Sequence, residues 1–577
     1  MLRARLLHLY GPDLGSRAAV DVEALLDSFR PRLGGRRSGE RLGVVNDALL
    51  ITYGDTLLGT DEPPLAALHD FAAGHLGDRL SGIHLLPFFP YSSDYGFAVK
   101  DYQAVRRDLG GWKDIEALSA DFQLMFDFVL NHVSAESAWF QGFLKGEATY
   151  RDFFITIDPA TDLSMVTRPR TTPLLTRFET AQGPRWVWTT FGPDQVDLNY
   201  GNPEVLVRML EVMLTYVERG AELLRMDAVA YLWKEVGTSC VHLPQTHQVV
   251  KLFREVLDAL APGVAIVTET NVPQRDNVSY FGDGRDEAQM VYQFPLAPLV
   301  LDAFARGDAT RLSAWARDLD PPSDRTAFFN FLASHDGIGV VPARDLLSEA
   351  EIGGLARRVL AHGGQVSDKA NPDGSMSPYE LNTTFFDALS DPNDESDTWS
   401  TKLDRYICSQ AIVLALAGVP GIYIHSLLGS PNDHAGFAKS DWKRDLNHQR
   451  LNLSEVESAL SDPATREAQV FTRYARLLEV HRQQPAFHKR AGQAVLEAGP
   501  GILALARGPR EGQTVLTLHN VTASELVATA GDWKVGDSGE WEDLISGERF
   551  GHGSQVRLAP YQVLWLSDAR AIRGGGA

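Results

Sequence analysis

Arg225 and Asp227 stand two positions apart in the segment LLRMDAVAY. On a strand, residues i and i+2 share a face, so a guanidinium there lies beside a carboxylate. The opposite charge keeps that carboxylate ionised, a state that suits a nucleophile. A structural salt bridge at a strand end would use the same pair. Three other segments carry comparable groups. IVTETN ends on Glu269 between Thr268 and Thr270, FLASHDG carries His335 and Asp336, and DFVLNH carries Asp127, Asn131 and His132. Taken singly, each is as consistent with a hydrogen-bonded strand end or a solvated loop as with chemistry. Four such clusters in one chain point to a shared site.

These residues need elements that bring them together. Short apolar runs with β-favouring residues alternate with longer amphipathic stretches, the pattern of βα units on a parallel sheet. Eight runs qualify as strands: Ala48 to Thr52, Gly82 to Phe88, Gln123 to Phe128, Leu223 to Ala228, Ala265 to Glu269, Met290 to Phe294, Ala327 to Ser334 and Gly421 to His425. Eight strands predict an α/β fold, a (β/α)8 TIM barrel, and the C-terminal strand ends of such a barrel form its active-site rim. Two spacings exceed a simple βα loop. Inserted small domains are therefore expected after the third and seventh strands, at 139–200 and 339–404, both covering the rim. The barrel then occupies 1–138 (with an N-terminal segment), 201–338 and 405–490, and short alternating runs such as TVLTLHN and YQVLWLS predict a C-terminal antiparallel β domain over 491–577. A helical pattern around Val20 to Leu33 is expected to pack on the barrel, and the RGGGA tail to fray.

Composition narrows the classes of function. The 577 residues are 44% hydrophobic and 22% charged, as in ordinary globular enzymes. The formal net charge of −21 disfavours attraction to nucleic-acid phosphates or to anionic bilayers. Two cysteines, Cys240 and Cys408, support neither a disulfide framework nor a four-ligand zinc site. The expected setting is a reducing cytoplasm. The longest apolar run, Ala411 to Ile424, is interrupted by Gly418 and Pro420 and is shorter than the ~20 residues that span a bilayer. No oxygen-rich cluster with calcium's six to eight ligands can be assembled, so no metal site and no cofactor are expected.

In order along the chain, the four clusters are similar to the four sequence regions of the α-amylase clan of glycoside hydrolases. LLPFFPYSSDYGFAVKDY, DAVAYLWKEVGTSC followed by LPQTH, SHDGIGV and the RDLN at Arg444 resemble its sucrose phosphorylase branch. The resemblance implies that Asp227 is the nucleophile, Glu269 the general acid/base and Asp336 the transition-state stabiliser. It implies that Arg225, His132 and His335 hold the glucosyl unit and the nucleophile, that Asp94 binds sugar hydroxyls and that Phe97 stacks under the ring. Tyr231 and Arg444 would border the acceptor and phosphate site. The implied chemistry is a retaining double displacement between carboxyl groups about 5–5.5 Å apart, with inorganic phosphate as co-substrate.

The chain departs from that branch on the acceptor side. Where sucrose phosphorylases carry a pattern like LDLYQVN, this chain reads MSPYELN, so that Ser377 and Glu380 replace an Asp and a Gln, and Asn271 stands where those enzymes have His. The expected donor is glucose with a leaving group other than fructose. RPRTTPLLTRF in the first insertion looks most like glucosylglycerate phosphorylases, with Arg168 or Arg170 available for a glycerate carboxylate. Sucrose, sucrose 6′-phosphate and glucosylglycerol remain alternative substrates, as do hydrolysis or transglucosylation on the same carboxylates. A catalytically silent scaffold would have lost at least one of the three acids, and all three are present.

Overall fold

The eight β-favouring runs become the eight parallel staves of one closed barrel. In chain order they are β1 (Leu49–Thr52), β2 (Gly82–Leu85), β3 (Gln123–Val129), β4 (Ala221–Asp227), β5 (Ala265–Thr268), β6 (Met290–Tyr292), β7 (Ala327–Asn330) and β8 (Val419–Tyr423), with β8 closing on β1. The computed structural model describes residues 1–34, 47–371, 374–529, 540–551 and 555–568; the RGGGA tail lies outside them. The staves are almost wholly buried, as expected where interior side chains fill the barrel and helices cover its outside. The predicted (β/α)8 architecture is the observed one.

Strand register places the charged residues. Asp127 on β3 lies opposite Arg225 on β4, and Val129 opposite Asp227, so Arg225 meets one carboxylate across the ladder and another two residues along its own strand. Asp227 is the last residue of β4, and Glu269 follows directly on β5.

Two long connections supply the rim. Between β3 and β4, His132–Ser134 pairs antiparallel with Gln195–Asp197, and a hairpin of Leu175–Thr180 with Gly183–Trp188 stands above. Between β7 and β8, Ile338–Gly339, Met376–Asn382 and Gln365–Ala370 form a three-stranded sheet. After the barrel, a six-stranded antiparallel sheet and a two-stranded one build the C-terminal region, with Trp541 and Trp565 buried. Arg507 from this sheet donates to the Ala415 carbonyl at 2.8 Å, anchoring the sheet to a barrel helix.

The N-terminal helix, α1 (Leu2–Leu33), is longer than its Val20 to Leu33 pattern predicts. It bends at Gly11, whose φ of 74° an L-residue rarely adopts, and Pro12 restarts it. Arg5 pairs with Glu255 at 2.7 Å and Arg32 with Glu218, which fixes α1 against two outer helices of the barrel. Among the described residues, no helix is long and apolar enough to cross a membrane, and no three His, Cys, Asp or Glu are grouped to hold a metal ion. Both cysteines are buried and unbonded to each other.

Candidate active site

A pocket of about 740 Å³, including its open mouth, lies at the C-terminal ends of the strands. Its floor is built around Arg225, which is 1% exposed. Arg225 Nη1 donates to Asp127 Oδ1 at 2.5 Å and to Asp227 Oδ1 at 2.9 Å, and Nη2 lies 3.9 Å from Asp336 Oδ2. Asp127 is held from its other side by His84 Nε2 at 2.8 Å. Phe97 stacks on His335 with ring centres 5.0 Å apart, and Arg225 lies over the Phe97 ring. A cation on an aromatic face adds attraction where water is excluded.

Glu269 reaches the same volume from β5. The amide of Ala228, the residue after Asp227, donates to Glu269 Oε2 at 3.2 Å. Ala228 takes a left-handed φ of 53°, and Asp94 and Tyr95 take φ of 52° and 51° ahead of Gly96. Conformations of this kind cost of order 1–3 kcal/mol each and gather at functional sites. Here they turn the chain sharply where Asp94, Ala228 and Asp227 line the pocket.

Burial raises the pKa of Asp227 and Glu269 together, and they influence each other. Burial acts more strongly on Asp227, yet Asp227 has a direct bond from a guanidinium where Glu269 has only a backbone amide, an arrangement that favours the charge on Asp227 and the proton on Glu269. For Asp336 burial opposes ionisation, but His335 in its charged, low-pH form together with Arg444 and Arg225 holds its pKa well below the ordinary value. Burial lowers His335 to about 3, so it is neutral near pH 7.

Across the pocket, Arg444 Nη1 meets Asp336 Oδ1 at 2.8 Å and its Nη2 meets Glu380 Oε1 at 2.9 Å, with Asp94 Oδ1 4.0 Å away. Arg170 lies over the Tyr379 ring at 5.9 Å and has no ion pair or hydrogen bond with any described residue. The Oδ1 atom of Asn271 is buried without a partner. Asp94 accepts from Gln195 Nε2 at 3.0 Å, and His132 Nε2 bonds the Phe97 carbonyl at 3.0 Å.

Thirteen of the sequence-derived candidates line this one pocket: Asp94, Phe97, His132, Arg170, Arg225, Asp227, Tyr231, Glu269, Asn271, His335, Asp336, Glu380 and Arg444. Arg168 and Ser377 do not. Arg168 turns back on its own loop to donate to the Thr172 carbonyl. Ser377 donates to Asn371 Oδ1 and accepts from Arg344, both at 3.1 Å. The expectation that they face the acceptor is therefore replaced by Arg170 and Tyr379. The sequence reasoning missed Tyr379, Gln195, Phe191 and Phe294, which also line the pocket. Tyr379 could have been found beside Glu380 in MSPYELN; the others sit in no pattern that marks them.

Residues 76–336 match the α-amylase catalytic domain. The chain is 52% identical over 523 residues to the glucosylglycerate phosphorylase of Allomeiothermus silvanus, covering 90% of this chain and 91% of that protein. It is 46% identical to the glucosylglycerate phosphorylase of Spirochaeta thermophila, covering 99% and 98%. In fold it resembles the sucrose 6F-phosphate phosphorylase from Thermoanaerobacter thermosaccharolyticum, with a TM-score of 0.73 at 24% identity over 89% of this chain and 97% of that one. The chain is thus an enzyme and belongs to the glucosylglycerate phosphorylase family, built on an α-amylase-type (β/α)8 barrel.

Proposed function

We propose that the chain is a retaining α-glucoside phosphorylase that transfers glucose from 2-O-α-glucosylglycerate to inorganic phosphate, releasing glycerate and α-glucose 1-phosphate. The observation that carries this reading is Arg170. A guanidinium without a carboxylate partner beside the Asp227 and Glu269 pair is a place for an anion that arrives with the substrate. A neutral leaving group would have no use for it.

The glucosyl unit sits on the floor, with Phe97 under the ring and with Asp94, His132, Arg225 and His335 around its hydroxyls. Asp227 attacks the anomeric carbon as Glu269 gives its proton to the departing glycerate oxygen, leaving a β-glucosyl ester on Asp227. Asp336, kept ionised by its neighbours, faces the positive charge that develops on the sugar. Glycerate lies toward Arg170, and Asn271 Oδ1 can accept a hydrogen bond from one of its hydroxyls. Phosphate then enters beside Arg444 and Tyr231 and attacks the ester. Glu269, now ionised, takes a proton from phosphate if it arrives monoprotic, and two inversions give the α product. Phosphate is a co-substrate, and no step calls on a cofactor or metal. A reducing cytoplasm remains the proposed setting. The proposed domain limits are those read from the sequence.

The test is a reverse-direction screen from α-glucose 1-phosphate against glycerate, glycerol, fructose and fructose 6-phosphate, with phosphate release as the readout. Glycerate is expected to be the best acceptor. Preference for fructose would overturn the reading of Glu380 and Asn271, and preference for fructose 6-phosphate would reassign Arg170 to a phosphate group.

A further inference from the structure

Lys234 is a buried cation that the mechanism above leaves unused. Its side chain is 3% exposed, and it lies seven residues beyond Asp227. Its Nζ donates to Asn131 Oδ1 at 2.7 Å and meets Asp197 Oδ2 at 2.7 Å. Asp197, fully buried, also accepts from the Thr190 amide, the Thr190 hydroxyl and Asn131 Nδ2 at 2.7, 2.7 and 3.1 Å. The ammonium therefore ties the loop after β4 to both strands of the small sheet that pairs His132 with Asp197.

The donor and acceptor pattern of this cluster reaches into the pocket. An ammonium only donates, so the Asn131 atom facing Lys234 must be its oxygen. Asn131 Nδ2 then points the other way, to Asp197 and to His132 Nδ1 at 3.2 Å. An amide nitrogen donates, so His132 Nδ1 must be the accepting nitrogen and the ring hydrogen must sit on Nε2. The far edge of the ring agrees: His132 Nε2 lies 3.0 Å from the Phe97 carbonyl, which can only accept. Gln195 Nε2 approaches the same nitrogen at 3.2 Å, but Asp94 draws a hydrogen from that amide. The opposite tautomer would suit Gln195 alone, while setting donor against donor at Asn131 and acceptor against acceptor at Phe97. Burial also lowers the His132 pKa, so the ring is neutral and a tautomer is defined.

We propose that Lys234 is a positioning residue whose ammonium, through the amide of Asn131, fixes His132 with its hydrogen on Nε2, the ring edge that lies among Phe97, Gln195 and Asp94. The single ring hydrogen is then spent on the Phe97 carbonyl, so His132 holds the backbone of the residue whose ring lines the glucosyl pocket. The catalytic use of that hold rests on the phosphorylase reading; the tautomer itself does not.

The test is long-range proton–nitrogen NMR of the histidine-labelled full chain without substrate, with the His132 signals assigned by their loss in His132→Gln. The wild type should show the Nε2–H form. Asn131→Asp, which keeps a partner for Lys234 but replaces the donor facing Nδ1 with an acceptor, should convert His132 to the Nδ1–H form. Lys234→Met should give a mixture of tautomers, and Lys234→Arg should restore the Nε2–H form. In steady-state assays Lys234→Met should lower kcat/KM by about 10–100-fold, taking as a guide the range seen when groups that orient a metal-bound histidine are removed, with Lys234→Arg recovering most of it. An Nδ1–H ring in the wild type, or an Nε2–H ring that survives in Asn131→Asp, would overturn the proposal. Because these spectra need no substrate, a failed phosphorolysis assay would leave the tautomer result standing, and the converse also holds.

Discussion

The two sides of the pocket are built differently. On the glucosyl side the floor is ordered from within the barrel: Arg225 binds Asp127 and Asp227, His84 holds Asp127, and His335 stacks on Phe97. On the acceptor side Arg170, Tyr379 and Glu380 come from the long connections, and Arg170 has no direct ion pair or hydrogen bond with a described residue, the charges of Glu380 and Asp94 acting on it only from a distance. Arg444 bridges the two, with one nitrogen on Asp336 and the other on Glu380. The difference separates chemistry from choice. A barrel that orders its own ion pairs can hold a nucleophile before substrate arrives, while a rim with an unmatched cation can select an anionic partner.

This contrast makes claims that mutation can break, and the largest lies on the barrel side. Asp227→Asn should lower phosphorolysis by about 10⁴-fold or more, the scale on which loss of a nucleophile acts, as followed by release of α-glucose 1-phosphate. Asp127→Asn should instead damage stability. It takes from the buried Arg225 its shortest charge partner, and breaking a buried pair costs about 3–5 kcal/mol, readable as a lowered denaturant midpoint. An unchanged midpoint would show that the floor is not the rigid half.

On the rim the expected effects are smaller and selective. Arg170→Ala should raise the KM for glycerate by about 10–100-fold, since a charge-assisted contact contributes roughly 1.5–3 kcal/mol, and should leave the melting temperature and the KM for α-glucose 1-phosphate nearly unchanged. Equal increases in both KM values would erase the division between the two sides.

The pH dependence follows from the raised pKa of Glu269. Cleavage of glucosylglycerate needs the protonated acid, so kcat/KM should fall about tenfold per pH unit above that pKa. Glu269→Gln assayed with α-glucosyl fluoride, whose leaving group needs no proton, should lack the basic limb. The smallest effect is expected at Glu380. Glu380→Gln keeps an acceptor for Arg444 in this buried pair but removes its charge, and should lower the KM for phosphate by about 2–5-fold, as a charged hydrogen bond is roughly twice as strong as a neutral one; a higher KM would mean that Glu380 orders Arg444 for phosphate.

The same contrast explains what could be read from the residues alone. Apolar runs with polar ends mark every barrel stave, and strand parity puts Arg225 beside Asp227, because a strand offers one periodicity and a register error would turn every side chain over. The rim has no such periodicity. Arg168 and Arg170 are two residues apart in one irregular loop, and only the folded loop reveals that the first closes on Thr172 while the second faces the pocket. Ser377 and Glu380 share a strand, yet the bonds of Ser377 to Asn371 and Arg344 take it away from the cavity. Gln195 gains its role only through tertiary contact with Asp94 and His132. The N-terminal helix was half legible, since the Gly11-Pro12 breaker hides that its two segments run on as one bent rod.

The claim on which the rest depends is that Asp227 carries the glucosyl group and phosphate removes it. In Glu269→Ala the first step with α-glucosyl fluoride proceeds without acid help, while the second loses its base, so the ester should accumulate. Mass spectrometry of the digested protein should find one hexosyl group on the peptide that contains Asp227. Adding phosphate should clear it and yield α-glucose 1-phosphate. A hexosyl group on any other peptide, or an adduct at Asp227 that water clears as fast as phosphate does, would contradict the account.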